Sequence, residues 1–158
     1  MRIAFRTDAS IEIGNGHVMR CITLADALRE QGVECVFICR PHCGHLLDLI
    51  VHRGHEVLAL PSLTTASPSS AADDPRHARW LGTDWYTDAT HTQQVLGRQA
   101  VDWLVVDHYG LDVRWEQSLR PCCGRIMAID DLANRDHNVD LLLDQNLGKT
   151  TADYEAKV

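Results

Sequence analysis

The chain has 158 residues, enough for one domain with a substantial core. Its hydrophobic content of 45% and charged content of 23% are those of a globular domain, and its net charge of −7 excludes a broad basic surface for nucleic acid or an anionic membrane. No apolar run approaches the roughly 20 residues that span a bilayer, and the first eight residues read as a strand ending in an acid, not a signal peptide; a cytoplasmic protein is expected.

Residues 2–6, with Ile3-Ala4-Phe5 at their centre, predict the first strand. A loop over 7–15 carries Thr7, Asp8, Ser10 and Glu12. A helix over 16–31 places Val18, Ile22, Ala25 and Leu28 at helical spacing and stops at Gly32. A strand over 34–39, a helix over 44–53 ending at Gly54, and a strand over 55–60 closed by Pro61 follow. Residues 62–75 turn to Ser, Thr, Ala, Pro and Asp and read as a mobile surface loop. A helix is expected over 84–99. A buried strand is expected over 102–107, where Trp103-Leu104-Val105-Val106 is a continuous apolar run. A short helix over 111–119 has Asp112 as its candidate cap. Strands are expected within 124–130 and 140–144, and the tail after Gly148 begins another helix.

Alternating strands and helices predict an α/β fold: a doubly wound parallel sheet with right-handed crossovers. Ligands of such sheets sit beyond the carboxyl ends of the strands, at the switch point. Those ends deliver Asp8 and the 14–20 turn, Arg40, Asp107-His108-Tyr109-Gly110, Asp130-Asp131 and Asp144-Gln145-Asn146. Polar groups thus gather at one edge while the strand bodies are apolar, which marks a candidate site.

The stretch Gly14-Asn15-Gly16-His17-Val18-Met19-Arg20 is central to that edge. Two glycines allow a tight turn and a close ligand approach. The helix start offers unpaired N–H groups and partial positive charge to an anion such as a sugar-linked phosphate. His17 lies in the first turn, and Arg20, three residues on, shares its face. The positive helix end disfavours a second positive charge and so suits an imidazole that accepts a proton. The dinucleotide fingerprint is absent, because Met19 stands where a third glycine belongs.

Around this stretch several alternatives stand. Asp8 orients His17 as a base, or it bonds loop amides as a turn cap. Tyr109 faces a ligand, while Asp107 closes its strand by bonding backbone N–H groups. Asp130-Asp131 hydrogen-bond to substrate or cap the next loop, since neighbours on a strand point to opposite faces and rarely share one ion. Cys21, Cys35 and Cys39 fall in predicted helix or strand as small apolar residues. The cluster Cys39, His42, Cys43, His45 has loosely metal-like spacing, but its members crowd within seven positions without a second pair, so a loop rich in His and Cys is the simpler reading.

Taken together these residues resemble the sugar-nucleotide hydrolases of pseudaminic acid biosynthesis, which release UDP from UDP-linked 2,4-diacetamido-2,4,6-trideoxy-altrose and are related to the spore-coat polysaccharide glycosyltransferase-like proteins. The resemblance is carried by Arg6-Thr7-Asp8-Ala9-Ser10, the 14–20 stretch, Asp107-His108-Tyr109-Gly110, and Asp130-Asp131 with His137, Asp140 and Asn146. It implies a GT-B architecture of two Rossmann-like domains, with residues 1–148 as the N-terminal half, 149–158 as the start of the connecting segment, and a C-terminal UDP-binding domain missing. It implies a UDP-linked sugar as ligand, His17 as the base that activates water, Tyr109 in the site, and no metal or other cofactor. Both lines of reasoning nominate His17 as catalytic and Asp8, Gly14, Gly16, Arg20, Tyr109, Asp131 and Asn146 as substrate-binding. A glycosyltransferase half-domain and a non-catalytic nucleotide-sugar-binding module are the alternatives.

Overall fold

The structure, a computed structural model, describes residues 1–62 and 73–158. The expected loop over 62–75 therefore falls largely outside the described residues. In chain order the elements are β1 (Arg2–Thr7), α1 (Gly16–Glu30), β2 (Glu34–Cys39), α2 (Leu47–His52), β3 (Glu56–Ala59), a 3-10 turn (Ala78–Leu81), α3 (Trp85–Leu96), β4 (Val101–Asp107), α4 (Val113–Leu119), β5 (Cys123–Ile129) and β6 (Leu141–Leu143). The strands form one six-stranded sheet in the order β3-β2-β1-β4-β5-β6, with every pair parallel. This is the Rossmann-like, doubly wound arrangement expected from the alternation. The chain winds outward from β1 to β3, then returns to the other side of β1 as β4, so the switch point lies between β1 and β4. There Thr7 stands beside Asp107 in register.

Strand parity builds the two layers. On one face Ile3, Phe5 and Val105 pack with Val18, Ile22 and Ala25 of α1 and Ile50 of α2. On the other, Ala4, Val36, Leu104 and Val106 pack with Ala89 and Leu96 of α3 and Trp115 and Leu119 of α4. The same parity sends Arg6 into the second layer, where it is fully buried. Its Nε and Nη2 donate to Asp88 Oδ1 (3.1 Å) and Oδ2 (2.8 Å). Arg40 Nη2 donates to the same Oδ2 (2.7 Å) and Trp115 Nε1 to Oδ1 (3.0 Å). Burial alone would raise the Asp88 carboxyl, but Arg6 and Arg40 hold it below the usual carboxylate range.

Two elements differ from expectation. Helix α2 starts at Leu47, not near 44, because residues 42–45 close a turn of their own, with His45 N donating to His42 O (3.1 Å). The tail forms a single 3-10 turn, Thr151–Asp153, in place of a longer helix. A capping box between Thr150 and Asp153 closes that turn, and Tyr154 then docks it: its hydroxyl lies 2.9 Å from the Asp130 carbonyl and 2.8 Å from Asp144 Oδ2. Among the described residues no helix is long and apolar enough to cross a membrane.

Candidate functional site

The site is assembled at the carboxyl ends of β1 and β4. After β1 the chain reverses through residues 10–14. Ser10 Oγ accepts from the amides of Glu12 (3.2 Å) and Ile13 (2.9 Å), and Ser10 O accepts from Gly14 N (2.8 Å). Gly14 has φ +81°, the left-handed region that favours glycine. Gly16 has no such constraint, yet a Cβ at either glycine would meet nothing within 4 Å, so the space above the turn is open. Helix α1 begins there without a side-chain cap and without an acidic residue in its first turn.

His17, on that first turn, is 7% exposed. Its Nδ1 lies 2.6 Å from Asp107 Oδ1. Arg20 grips the same carboxylate with two bonds of 2.5 Å, Nε to Oδ2 and Nη2 to Oδ1. Cys21 Sγ adds a weak donor at 3.6 Å. The 3.2 Å contact between Arg20 Nη2 and His17 Nδ1 is then two donors sharing one acceptor. This network assigns the ring proton to Nδ1 and leaves Nε2 as the acceptor nitrogen. Among the described residues nothing bonds Nε2. Burial alone would raise the Asp107 carboxyl, but the hydrogen bonds of Arg20 and His17 and the charge of Arg20 hold it below its ordinary range.

Tyr109 stands edge-on to His17 with ring centroids 4.4 Å apart. Its hydroxyl donates to Asp131 Oδ1. Burial, and then the Asp131 carboxylate, push the phenol up to about 12. Arg20 Nη1 lies 3.5 Å from Asp131 Oδ2. His17, Arg20, Asp107, Tyr109 and Asp131 are thus one connected cluster drawn from α1 and the ends of β4 and β5.

Asp8 does not join it. Even-numbered residues of β1 face the α3 layer, and Asp8 follows Ala4 and Arg6 to that side. It is fully buried, accepts from the Arg40 amide (2.7 Å) and pairs with Arg6 Nη1 (2.7 Å). Asp107, in phase with Trp103 and Val105, faces α1 instead. Of the two readings of Asp8, the structure gives the second, a carboxylate bonded to a loop amide, and not the first; Asp107 stands against His17 instead, and it accepts side-chain donors in place of backbone N–H groups. Asp130 is buried and caps the following loop, accepting from the amides of Leu132 (3.3 Å) and Ala133 (3.1 Å) and from Arg135 Nη1 (2.7 Å). Asn146 is exposed and lines a separate cavity of about 410 Å³ with Asp144, Lys149 and Tyr154. That cavity connects to the cluster through Lys149, whose ammonium donates to the Asp131 carbonyl. Cys39 is buried in the core and His42 turns toward Asp8 (3.5 Å). Among the described residues no group of three or more His, Cys, Asp or Glu is placed to hold a metal ion.

Sequence reasoning missed Trp80 and His77. The 3-10 turn Ala78–Leu81 brings Trp80 to 6.4 Å from His17 and 6.0 Å from Tyr109, ring centroid to centroid. His77, just before the turn, lies 4.4 Å from Trp80 and 5.7 Å from Tyr109. Two rings three positions apart, close after the 62–75 stretch, were the available signal.

No protein-family model matches the chain. Over its whole length, however, it is similar to the UDP-2,4-diacetamido-2,4,6-trideoxy-beta-L-altropyranose hydrolase of Campylobacter jejuni, with 27% identity over 159 residues. The chain resembles a nucleotide-sugar hydrolase. It spans about half the length of that relative, 46%. The resemblance carried by the 14–20 and 107–110 motifs and this full-length similarity point to the same kind of protein.

Proposed function

We propose that the chain is the N-terminal Rossmann-like part of a GT-B nucleotide-sugar hydrolase, residues 1–148 with a connecting segment over 149–158, acting in the cytoplasm in pseudaminic acid biosynthesis. The substrate is UDP-2,4-diacetamido-2,4,6-trideoxy-altrose, and a C-terminal domain supplies much of the hold on UDP. The observation that supports this best is the His17–Asp107 pair: a ring fixed through Nδ1, with Nε2 unbonded, at the switch point of a parallel sheet.

In this reading Asp107 holds the tautomer and Nε2 takes a proton from water as its oxygen attacks the anomeric carbon. The carbon–oxygen bond to the diphosphate breaks on the opposite face, UDP leaves with the bonding electrons, and the anomeric centre inverts. The uncapped amides of α1 lie beside Gly14 and Gly16 where the departing charge develops. Arg20 acts through Asp107 and Asp131, to which it is committed, and not as a free anion ligand. A base of this kind supplies about 10²–10⁴-fold. In the protein carrying the C-terminal domain, His17→Asn or His17→Phe lowers UDP release from this substrate by about that factor; near-normal release would remove His17 from the role. Release measured without any sugar acceptor separates hydrolysis from glycosyl transfer.

A further inference from the structure

Two rings outside the motifs stand over the His17 cluster. The turn that carries them is fastened at several points. Leu81 is fully buried in the α3-side core, and Arg79 Nη2 pairs with Glu12 Oε1 across the 10–14 loop (2.7 Å). The His77 carbonyl lies so close to Gly110 that a Cβ there would meet it at 2.8 Å, which explains the glycine that ends the Asp-His-Tyr-Gly stretch. Trp80, His77, Tyr109 and His17 therefore face one another around one spot, beside the open space over Gly14 and Gly16.

Their polar atoms are closed off. Trp80 Nε1 and His77 Nδ1 are buried and have no hydrogen-bond partner among the described residues. Trp115, by contrast, has its Nε1 bonded to Asp88. The rings provide flat apolar faces, and the indole provides a donor aligned with the ring plane.

We propose that Trp80 and His77 form the sugar-recognition wall of this site and select a pyranose bearing acetamido and deoxy positions. Acetamido and deoxy methyl groups pack on the indole and phenol faces. A fully hydroxylated pyranose would strand its hydroxyls against the same rings. This inference rests on the nucleotide-sugar reading above, and it adds to that reading the residues that determine which sugar is taken.

The test is a set of tryptophan-fluorescence titrations, recorded immediately after mixing, on the unaltered chain and on Trp80→Phe and Trp80→Ala. The probes are UDP-2,4-diacetamido-2,4,6-trideoxy-beta-L-altropyranose, UDP-glucose and UDP, and melting curves check the fold of each variant. The unaltered chain binds the diacetamido compound about tenfold more tightly than UDP-glucose. Trp80→Ala weakens that compound by about tenfold and leaves UDP within about twofold, while Trp80→Phe, which keeps a smaller ring, falls between. Undiminished affinity in a folded Trp80→Ala variant overturns the wall and leaves the nucleotide-sugar reading standing. Equal affinity of the unaltered chain for the diacetamido compound and UDP-glucose overturns the wall as well, and failure of the protein carrying the C-terminal domain to bind any of the three probes overturns both.

Discussion

Asp107→Asn is the sharpest perturbation of the proposed site. Asp107 has no exposed surface and offers two oxygens to three strong donors, Arg20 Nε, Arg20 Nη2 and His17 Nδ1, at 2.5–2.6 Å. Asparagine keeps the shape and one acceptor oxygen. If that oxygen takes the Oδ1 position, the amide N–H groups meet Arg20 Nε–H. If it takes the Oδ2 position, they meet His17 Nδ1 and force the ring into the opposite tautomer, with the proton on Nε2. The second arrangement keeps only the Arg20 Nε contact, sets an N–H donor against Arg20 Nη2 and removes the proton acceptor, and both arrangements lose the carboxylate charge that stabilises the imidazolium formed on proton uptake. Loss of a partner from a buried ion pair costs about 3–5 kcal/mol. Here the cost falls near the lower end of that range, because the Arg20 side chain is 17% exposed and Asp131 Oδ2 stands 3.5 Å from Nη1. The variant is therefore expected to fold with a lowered urea midpoint and an unchanged slope. Its UDP release is expected to fall by about 10²–10⁴-fold, comparable to the loss of the base itself. Release at more than half the normal rate, in a variant whose urea midpoint has dropped, would refute the orienting role and leave Asp107 as a structural anchor for Arg20.

Asp88→Asn leaves Arg6 and Arg40 short of their shared carboxylate in a layer without solvent; a loss of about 3–5 kcal/mol in urea unfolding is expected. The acid limb of stability follows from the same groups. Asp8, Asp88 and Asp130 are each held below the usual carboxylate range against burial, chiefly by Arg6 for the first two and by His137 and Arg135 for the third. Their stabilisation is full above the unfolded value of about 3.9 and is lost as pH falls through it toward the folded values. His108, lowered to about 3 by burial, extends the decline upward to about pH 6.5, since it must gain a proton on unfolding. Urea midpoints between pH 3 and pH 8 should thus fall monotonically below pH 6, and a flat profile would contradict the buried network. His137 acts in the opposite sense. Burial lowers it, but its bonds to Asp130 and Glu116 prevail, so its contribution is full below about pH 6.5 and is lost as pH rises. Gly110→Ala drives a Cβ into the His77 carbonyl and should displace the 3-10 turn, lowering affinity for the sugar nucleotide more than for UDP.

The layered sheet was legible because each strand is a short apolar run closed by a polar or glycine signal, and because strand and helix periods alternate without interruption. The clustering of His17, Arg20, Tyr109 and Asp131 was legible for a related reason: parallel strands deliver their ends to one edge. The partner of His17 was not. Asp8 and Asp107 both end strands, and the choice between them depends on which face each residue takes, hence on parity counted from the core. Arg6 was equally hidden. A charged residue at a strand end reads as exposed until Asp88, 82 positions away, is placed against it. Trp80 and His77 carry no periodicity and lie on a single 3-10 turn, so only tertiary packing against Gly110 reveals where they go. Asn146 was nominated from its strand end, but β6 is the outermost strand, which carries its end away from the switch point.

The position of β1 at the middle of the sheet has a consequence for biosynthesis. One of its edges pairs with β2 almost at once, but the other waits for β4, whose end lies about 100 residues later. At roughly 5–20 residues per second, a ribosome takes about 5–20 seconds to supply that neighbour. During this interval the nascent chain presents an unsealed hydrogen-bonding edge and a guanidinium, that of Arg6, whose counter-ion on α3 has yet to be docked. The emerging polypeptide is thus most vulnerable to chaperone capture or misassociation before β4 arrives, and slowing translation between β3 and β4 should lower its soluble yield.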